Sequence, residues 1–332
     1  MLVAVLATGC VSSTLDLDTR AIQPIPASLV AEMNRKSMTQ RDPILVRIFK
    51  QESELEIWKR TKSGSYALLK TYPMCRWSGQ LGPKTRNGDR QAPEGFYHVS
   101  ANMMNPKSQF YLSFNLGYPN RLEAALGHTG EALMVHGACS SSGCYAMTDE
   151  GVAEIYAVAR EALRGGQTSF QVQAFPFRMT PQNMAKNREN PNYAFWTNLK
   201  KGYDAFEVTK QQPAVGYCGG QYSFGPDATG TVPTDPLAQC QPILDTDPAI
   251  AARRDADDRA IASLVTSGTA FSSYAYSDGG MHPSFRRLLQ RDGATGFAKR
   301  TSQTAVPISR PEAALADPHQ PKKERAEVPA ER

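Results

Sequence analysis

"MVHGACSSSGCYAMTDEG", residues 134–151, sets one His and two Cys around a run of Ser and Gly. The apolar residues before it end a predicted strand, "ALMVH" (132–136), and those after it open a predicted helix. Along that strand Met134 and His136 share one face, and Leu133 and Val135 share the other. The helix is read from Val152, Ile155, Tyr156, Ala159 and Leu163 at helical spacing, with Thr148 or Asp149 as its cap and Gly165-Gly166 as its end. A strand, a loop of small residues carrying reactive side chains and a helix together form a site-bearing turn. Three chemistries fit it: a metal site, a disulfide or a nucleophile.

Working outward, "ILVRIF" (44–49), "LEIWKR" (55–60) and "YALLKTY" (66–72) alternate with turn sequences and predict a β-meander. "GPKTRNGDRQAPEG" (82–95) is a polar Gly/Pro loop. "FYHVSA" (96–101), "QFYLSFNL" (109–116) and "FQVQAFPF" (170–177) are further strands. "TPQNMAKN" (180–187) has a Thr cap with Pro at the first helical position. "NYAFWTNLKKGYDAF" (192–206) is an amphipathic helix expected to break at Gly202. The fold class is therefore α+β, with a β-rich domain over 41–212. Residues 11–40 read as a tether. Residues 213–332 read as a Pro/Ala/Gly-rich tail mostly without fixed structure, in which 249–265 can form one helix.

The 332 residues carry a net charge of +5, too mild to argue for nucleic acid, and no zinc-finger or base-stacking motif occurs. No segment reaches the roughly 18–20 apolar residues of a membrane span. The opening "MLVAVLATGC" is similar to the end of a bacterial lipoprotein signal, with Cys10 in the lipidated position. The basic residues that should precede such a signal are missing, so we read 1–10 as a truncated signal whose true start lies upstream. Any membrane association would come only through a lipid at Cys10. Six Cys are too few for a disulfide scaffold in a chain this long, although Cys218 with Cys240 is a plausible bridge in an exported protein.

In the quoted loop, H-x2-C-x4-C (His136, Cys139, Cys144) lacks a fourth nearby ligand, and paired zinc ligands usually stand closer together. A Cys139–Cys144 disulfide would close a short loop and stabilise little. A thiolate nucleophile at Cys144 fits better. A Gly/Ser loop lets His136 fold back toward it, and Gly143 leaves room for substrate and for backbone N–H groups aimed at an oxyanion. A helix N-terminus near Asp149 would favour the thiolate if it faced the sulfur.

"VHGACSSSGCYAM" resembles the active-site motif of the L,D-transpeptidase (YkuD) catalytic domain, with His136-Gly137 as its "HG" and Gly143-Cys144 as its "GC". The loop at 82–95 resembles the family's segment ending in "TPEGxY", and the likeness covers about 43–210. The gap between the two halves of the motif is short. Ser142 stands where most members carry a second His, and Ala146 where most carry Arg or Asn. With "YPMCRWSGQLGPK" and "CYAMTDEGVAEIY", these features are similar to the YafK-like branch. The resemblance implies Cys144 as nucleophile, His136 as proton donor and acceptor, and Ser142 and Gly143 as backbone groups at the oxyanion. His128, Gly137 and Tyr145 would contact substrate. No cofactor and no metal is implied.

The expected reaction is acyl transfer on peptidoglycan stem peptides in the periplasm, through a Cys144 thioester at diaminopimelate. Two rivals are a hydrolytic amidase that trims stems or releases a wall-attached lipoprotein, and a non-catalytic wall-binding module. The other histidines are His98, His282 and His319. Cys139, which has no role in the family scheme, is expected to form a reversible disulfide with Cys144 under oxidation.

Overall fold

The computed structural model describes residues 19–243, 247–270 and 275–318. Cys10 and the signal-like segment lie outside the described residues, as does His319. Among the described residues no helix is long and apolar enough to cross a membrane.

The meander forms as the alternation requires. Strands β1 (Ile44–Phe49), β2 (Glu54–Arg60) and β3 (Tyr66–Pro73) pair antiparallel in sequence order. β10 (Ser169–Phe175) then lies parallel to β1, and β5 (Gly95–Ser100) closes the sheet as β3-β2-β1-β10-β5. Every residue of β1 is buried, the signature of a strand covered on both faces. A second sheet, β4-β9-β8-β7-β6, joins β4 (Arg76–Trp77), β6 (Met104–Asn105), β7 (Ser113–Asn115), β8 (Met134–His136) and β9 (Tyr145–Ala146). "QFYLSFNL" thus contributes only three residues to a strand. Three helices follow on the expected segments: α3 (Asp149–Arg164), α4 (Pro181–Lys186) and α5 (Tyr193–Thr209), while α2 (Arg121–Ala125) is a short turn ahead of β8. The architecture is α+β.

Three expectations are corrected. Part of the stretch read as a tether is packed: α1 (Ala27–Arg35) buries Leu29 and Met33, and Ile25 and Met38 join the same core. α5 runs unbroken through Gly202, because the missing side chain there makes room for the Phe96 and Phe224 rings. The C-terminal third is more ordered than its composition implies. Strands β11 (Val215–Cys218) and β12 (Gln221–Phe224) form a hairpin held by a Cys218–Cys240 disulfide. Helix α6 (Pro248–Thr266) docks through Asp257, which shares the Lys200 ammonium with Asp204 at 2.6 and 2.5 Å. Helices α7 (Pro283–Thr301) and α8 (Pro311–Leu315) bury Leu289, Phe297 and Ala314 in a small second core with Cys75 and Cys139. Specific partners elsewhere in the chain, not local propensity, hold these segments.

The loop over 79–95, which lies along the site, is fastened by a buried ion pair. Lys50 Nζ donates to Glu94 Oε1 at 2.9 Å and to the carbonyls of Gln80 and Gly82 at 3.0 Å. Glu94 also accepts the Gly82 N–H at 2.7 Å and the Trp196 indole N–H at 2.8 Å. Both charges are fully buried, and burial pushes the Lys50 ammonium below its ordinary pKa. Removing one partner strands the other. Glu94→Ala should cost about 3–5 kcal/mol, read as a lower urea midpoint, with Glu94→Gln recovering part of the loss. An unchanged midpoint in Glu94→Ala would refute this role.

Candidate active site

Strands β8 and β9 run parallel in the register Val135↔Tyr145 and His136↔Ala146. Cys144 directly precedes β9, and its Sγ reaches the Met134 backbone on β8. The pairing therefore sets Cys144 beside Met134, two residues before His136 on the neighbouring strand.

The two groups are held separately at rest. Cys144 Sγ accepts the Met134 N–H at 3.4 Å and donates to the Ala132 carbonyl at 3.7 Å. The His136 ring is buried against Phe110, with ring centroids 4.8 Å apart, and its Nδ1 lies 2.6 Å from the Gly137 carbonyl. A carbonyl only accepts, so Nδ1 carries the proton and Nε2 keeps its lone pair. Burial drives the ring's pKa down to about 4, with the Gly137 carbonyl opposing. Burial likewise pushes the Cys144 thiol above its ordinary value, and the Met134 N–H and the Lys84 ammonium pull part of the way back. At neutral pH the resting state is thiol plus neutral imidazole. Cys144 is nonetheless partly open to solvent and is the free cysteine among the described residues.

Cys139 is not its partner. It forms a disulfide with Cys75, so the expected Cys139–Cys144 switch is corrected, and the His136/Cys139/Cys144 ligand set loses a member. Both sulfurs of this bridge are buried, and it ties the loop after β8 to the start of β4. Asp149 fastens the same turn, taking the Ala138 N–H at 2.8 Å and the Gln303 N–H at 2.6 Å, while Thr148 caps α3. The sulfur's hydrogen-bond partners lie on the β8 side, not on the α3 N-terminus.

The Ser run is not uniform. Ser141 is buried, and its hydroxyl accepts the Cys144 N–H at 3.1 Å and the Gly143 N–H at 3.3 Å and donates to the Cys144 carbonyl at 2.7 Å. Ser78 Oγ meets it at 3.0 Å. The Gly143 N–H expected to face an oxyanion is thus turned inward. Gly143 sits at φ +132°, a conformation that favours glycine. The exposed Ser142 offers its side chain to Arg90 at 2.8 Å, and among the described residues its own N–H makes no hydrogen bond.

Five residues other than glycine surround the site in the left-handed region: Arg90, Tyr111, Ala132, Ala138 and Cys139. Backbone held this way costs of order 1 kcal/mol or more per residue and tends to gather at functional sites.

The other expected contacts move elsewhere. Tyr145 is fully buried, and its hydroxyl donates to the Pro93 carbonyl, so it supports the loop from within the core. Gly137 is packed against Asp149 and Phe110 and serves through its carbonyl on His136. His128 lines a cavity of about 300 Å³ with Leu122, Phe195 and Tyr222, which includes neither Cys144 nor His136.

No family model matches the chain. A search of curated proteins finds YafK of Escherichia coli K12, classed as an L,D-transpeptidase by assignment. It is 44% identical over 188 residues, covering 56% of this chain and 76% of that protein. The same holds for YafK of Escherichia coli O157:H7. The chain belongs to the L,D-transpeptidase family, in its YafK branch. Among solved structures, the helical cell shape determining protein Pgp2 of Campylobacter jejuni aligns at 20% identity over 44% of this chain and 54% of that one, TM-score 0.32. Bd1075 of Bdellovibrio bacteriovorus aligns at 15% over 54% and 78%, TM-score 0.30. Superpositions this loose say nothing about the site.

Four neighbours of the site carry no local signal in the sequence. Ser141 is indistinguishable from Ser140 and Ser142 by type. Lys84, whose Nζ is held by Asp89 Oδ1 at 2.5 Å and the Arg86 carbonyl at 2.7 Å, reads as one more loop lysine. Arg90 reaches the loop only by folding, and its partner Asp278 stands 188 residues away.

The two pKa directions fix the expected pH behaviour. A raised thiol and a lowered imidazole exclude a stable thiolate–imidazolium pair at neutral pH. Alkylation of Cys144 by iodoacetamide should therefore rise about tenfold per pH unit from pH ~6 to ~8, without an acid plateau. A flat rate below pH ~7 would show the ion pair instead.

Proposed function

We propose that this protein is a cysteine-dependent acyltransferase acting on peptidoglycan stem peptides, an L,D-transpeptidase in mechanism. One observation carries the reading: the free, partly open Cys144 lies against Met134 on the strand that carries His136, an imidazole whose tautomer is set by a backbone carbonyl. Membership of the family supplies the substrate class.

The thiol attacks the carbonyl at the L-centre of a diaminopimelate residue. His136 Nε2 takes the thiol proton as the C–S bond forms, because neither group is charged at rest. A rotation about the Cys144 side chain brings the sulfur from its Ala132 contact toward the ring. Hydrogen bonds of this kind are often long before substrate arrives. We assign the Ser142 N–H to the oxyanion, since the Gly143 and Cys144 amides already serve Ser141 Oγ. The imidazolium then returns its proton to the departing amine, leaving a thioester on Cys144. An incoming amine resolves the thioester to a cross-link, and its proton passes back to the sulfur. Water would resolve it to a trimmed stem by the same route.

Two disulfides support an oxidising compartment, and we place the protein in the periplasm, tethered by lipid at Cys10. The catalytic unit proposed is 41–212, braced by the C-terminal third of the chain.

Sacculi rich in tetrapeptide stems, incubated with the purified protein and digested to muropeptides, should gain dimers joined between two diaminopimelate residues. Shortened stems without dimers would assign water as the acceptor. His136→Gln should slow either product about 10²–10⁴-fold, and Cys144→Ala should yield none. Full product formation by Cys144→Ala would defeat every mechanism through this sulfur. An unchanged digest with wild-type protein would favour a binding-only module.

A further inference from the structure

Three guanidinium groups converge on one carboxylate beside the nucleophile's loop. Asp278 Oδ2 lies 2.7 Å from Arg90, 3.5 Å from Arg76 and 3.5 Å from Arg310, while Oδ1 accepts the Gly79 N–H at 2.9 Å. Among the described residues no other carboxylate comes within ion-pair distance of these three arginines, so positive charge exceeds negative by about two.

The three arginines differ in access. Arg76 is wholly buried and spends its N–H groups on the carbonyls of Trp77 and Ser309. Arg90 is 27% exposed and Arg310 is 57% exposed. The chain just before Arg310 is pinned to the loop, because Ser309 Oγ accepts the Ser141 N–H at 3.0 Å and donates to the Ser141 carbonyl at 2.7 Å. Arg310 itself sits at φ +46°, a left-handed conformation that a long side chain adopts at a cost. The fold thus holds a second accessible guanidinium next to Arg90, where like charges repel and one carboxylate is too few.

We propose that Arg310 and the outer edge of Arg90 form an anion subsite for a carboxylate of the ligand. The Ser142 hydroxyl, already accepting from Arg90 Nη1 at 2.8 Å, is the third polar group at its edge. Ser142 precedes Cys144 by two residues, at most about 7 Å of chain. Resting on the acyl-transfer reading, the ligand is a stem peptide whose free carboxylate, away from the attacked carbonyl, docks here and sets which carbonyl meets the sulfur. Guanidinium and carboxylate pair with two parallel hydrogen bonds, which gives orientation as well as affinity.

The test uses the full chain carrying Cys144→Ala, so that ligand binds without turnover. Calorimetry compares stem tetrapeptides with free and with amidated carboxylates. The free form should bind about fivefold tighter at low salt, and the gap should shrink as salt is added. Arg310→Gln should remove the gap and Arg310→Lys should restore part of it; the side chain is exposed, and circular dichroism verifies the fold. A second readout does not depend on peptidoglycan. p-Hydroxyphenylglyoxal modifies Arg310, followed by peptide mass spectrometry, and malonate should slow that modification about threefold.

Failure of malonate to protect Arg310 overturns the subsite, as does a free-versus-amidated gap that survives in Arg310→Gln. Malonate protection with equal binding of both stems, or of neither, overturns the stem carboxylate as ligand. The fault then lies with the peptidoglycan reading and not with the anion subsite.

Discussion

The parallel pairing of β8 with β9 is the constraint on which the site rests. Antiparallel neighbours can be joined by a two-residue turn, but parallel neighbours need a crossover. Here the crossover is only the eight residues 137–144 between His136 and Tyr145, far shorter than the usual helix-bearing connection. A loop so short must turn back on itself, and that requirement accounts for its composition. Ala138 and Cys139 enter the left-handed region, Gly143 takes a conformation closed to other residues, and small serines fill the turn. The same pairing sets Cys144 against Met134, two residues before His136.

Such a loop would not hold its shape alone, since each left-handed residue raises its energy. The surrounding structure supplies the difference with contacts on every side. The Cys75–Cys139 bridge closes a covalent span of 64 residues. By the chain-entropy argument a span that long is worth about 4 kcal/mol. Asp149 takes the Ala138 N–H, and Ser141 Oγ takes two amides of the turn. None of these groups touches the proposed reacting atoms. They fix the turn between His136 and Cys144, while burial raises the thiol and lowers the imidazole.

Local contacts are legible in the sequence and distant ones are not. The β-meander, the capped helix after the loop and the strand ending in His136 each depend on patterns within about ten residues, and each lies close to its expected span. Cys144 and His136 stand out because reactive side chains among Ser and Gly are uncommon. The hidden features depend on remote partners. Sequence proximity pairs Cys139 with Cys144, yet Cys75 meets it through the arrival of β4 beside β9. Adjacency to Cys144 suggests Tyr145 as a contact, but its side chain is buried in the core. The C-terminal third lacks periodicity because it is shaped to cover another surface, not to bury a face of its own.

That cover changes what counts as the site. Asp278 reaches Arg90 and Gly79, Ser309 brackets the Ser141 backbone, and Gln303 meets Asp149. Residues 276–310 therefore touch the Cys144 loop and two of its neighbouring elements, the 79–95 loop and the start of α3, while Met281, Phe297 and Ile308 pack around its disulfide. A buried arginine such as Arg76 is tolerable only with this segment in place, because Asp278 and the Ser309 carbonyl are its partners. An uncompensated buried guanidinium costs several kcal/mol, so docking of the segment and ordering of the loop are coupled. A composition poor in apolar residues does not mark these residues as dispensable; it reflects an element whose work is polar contact with one loop.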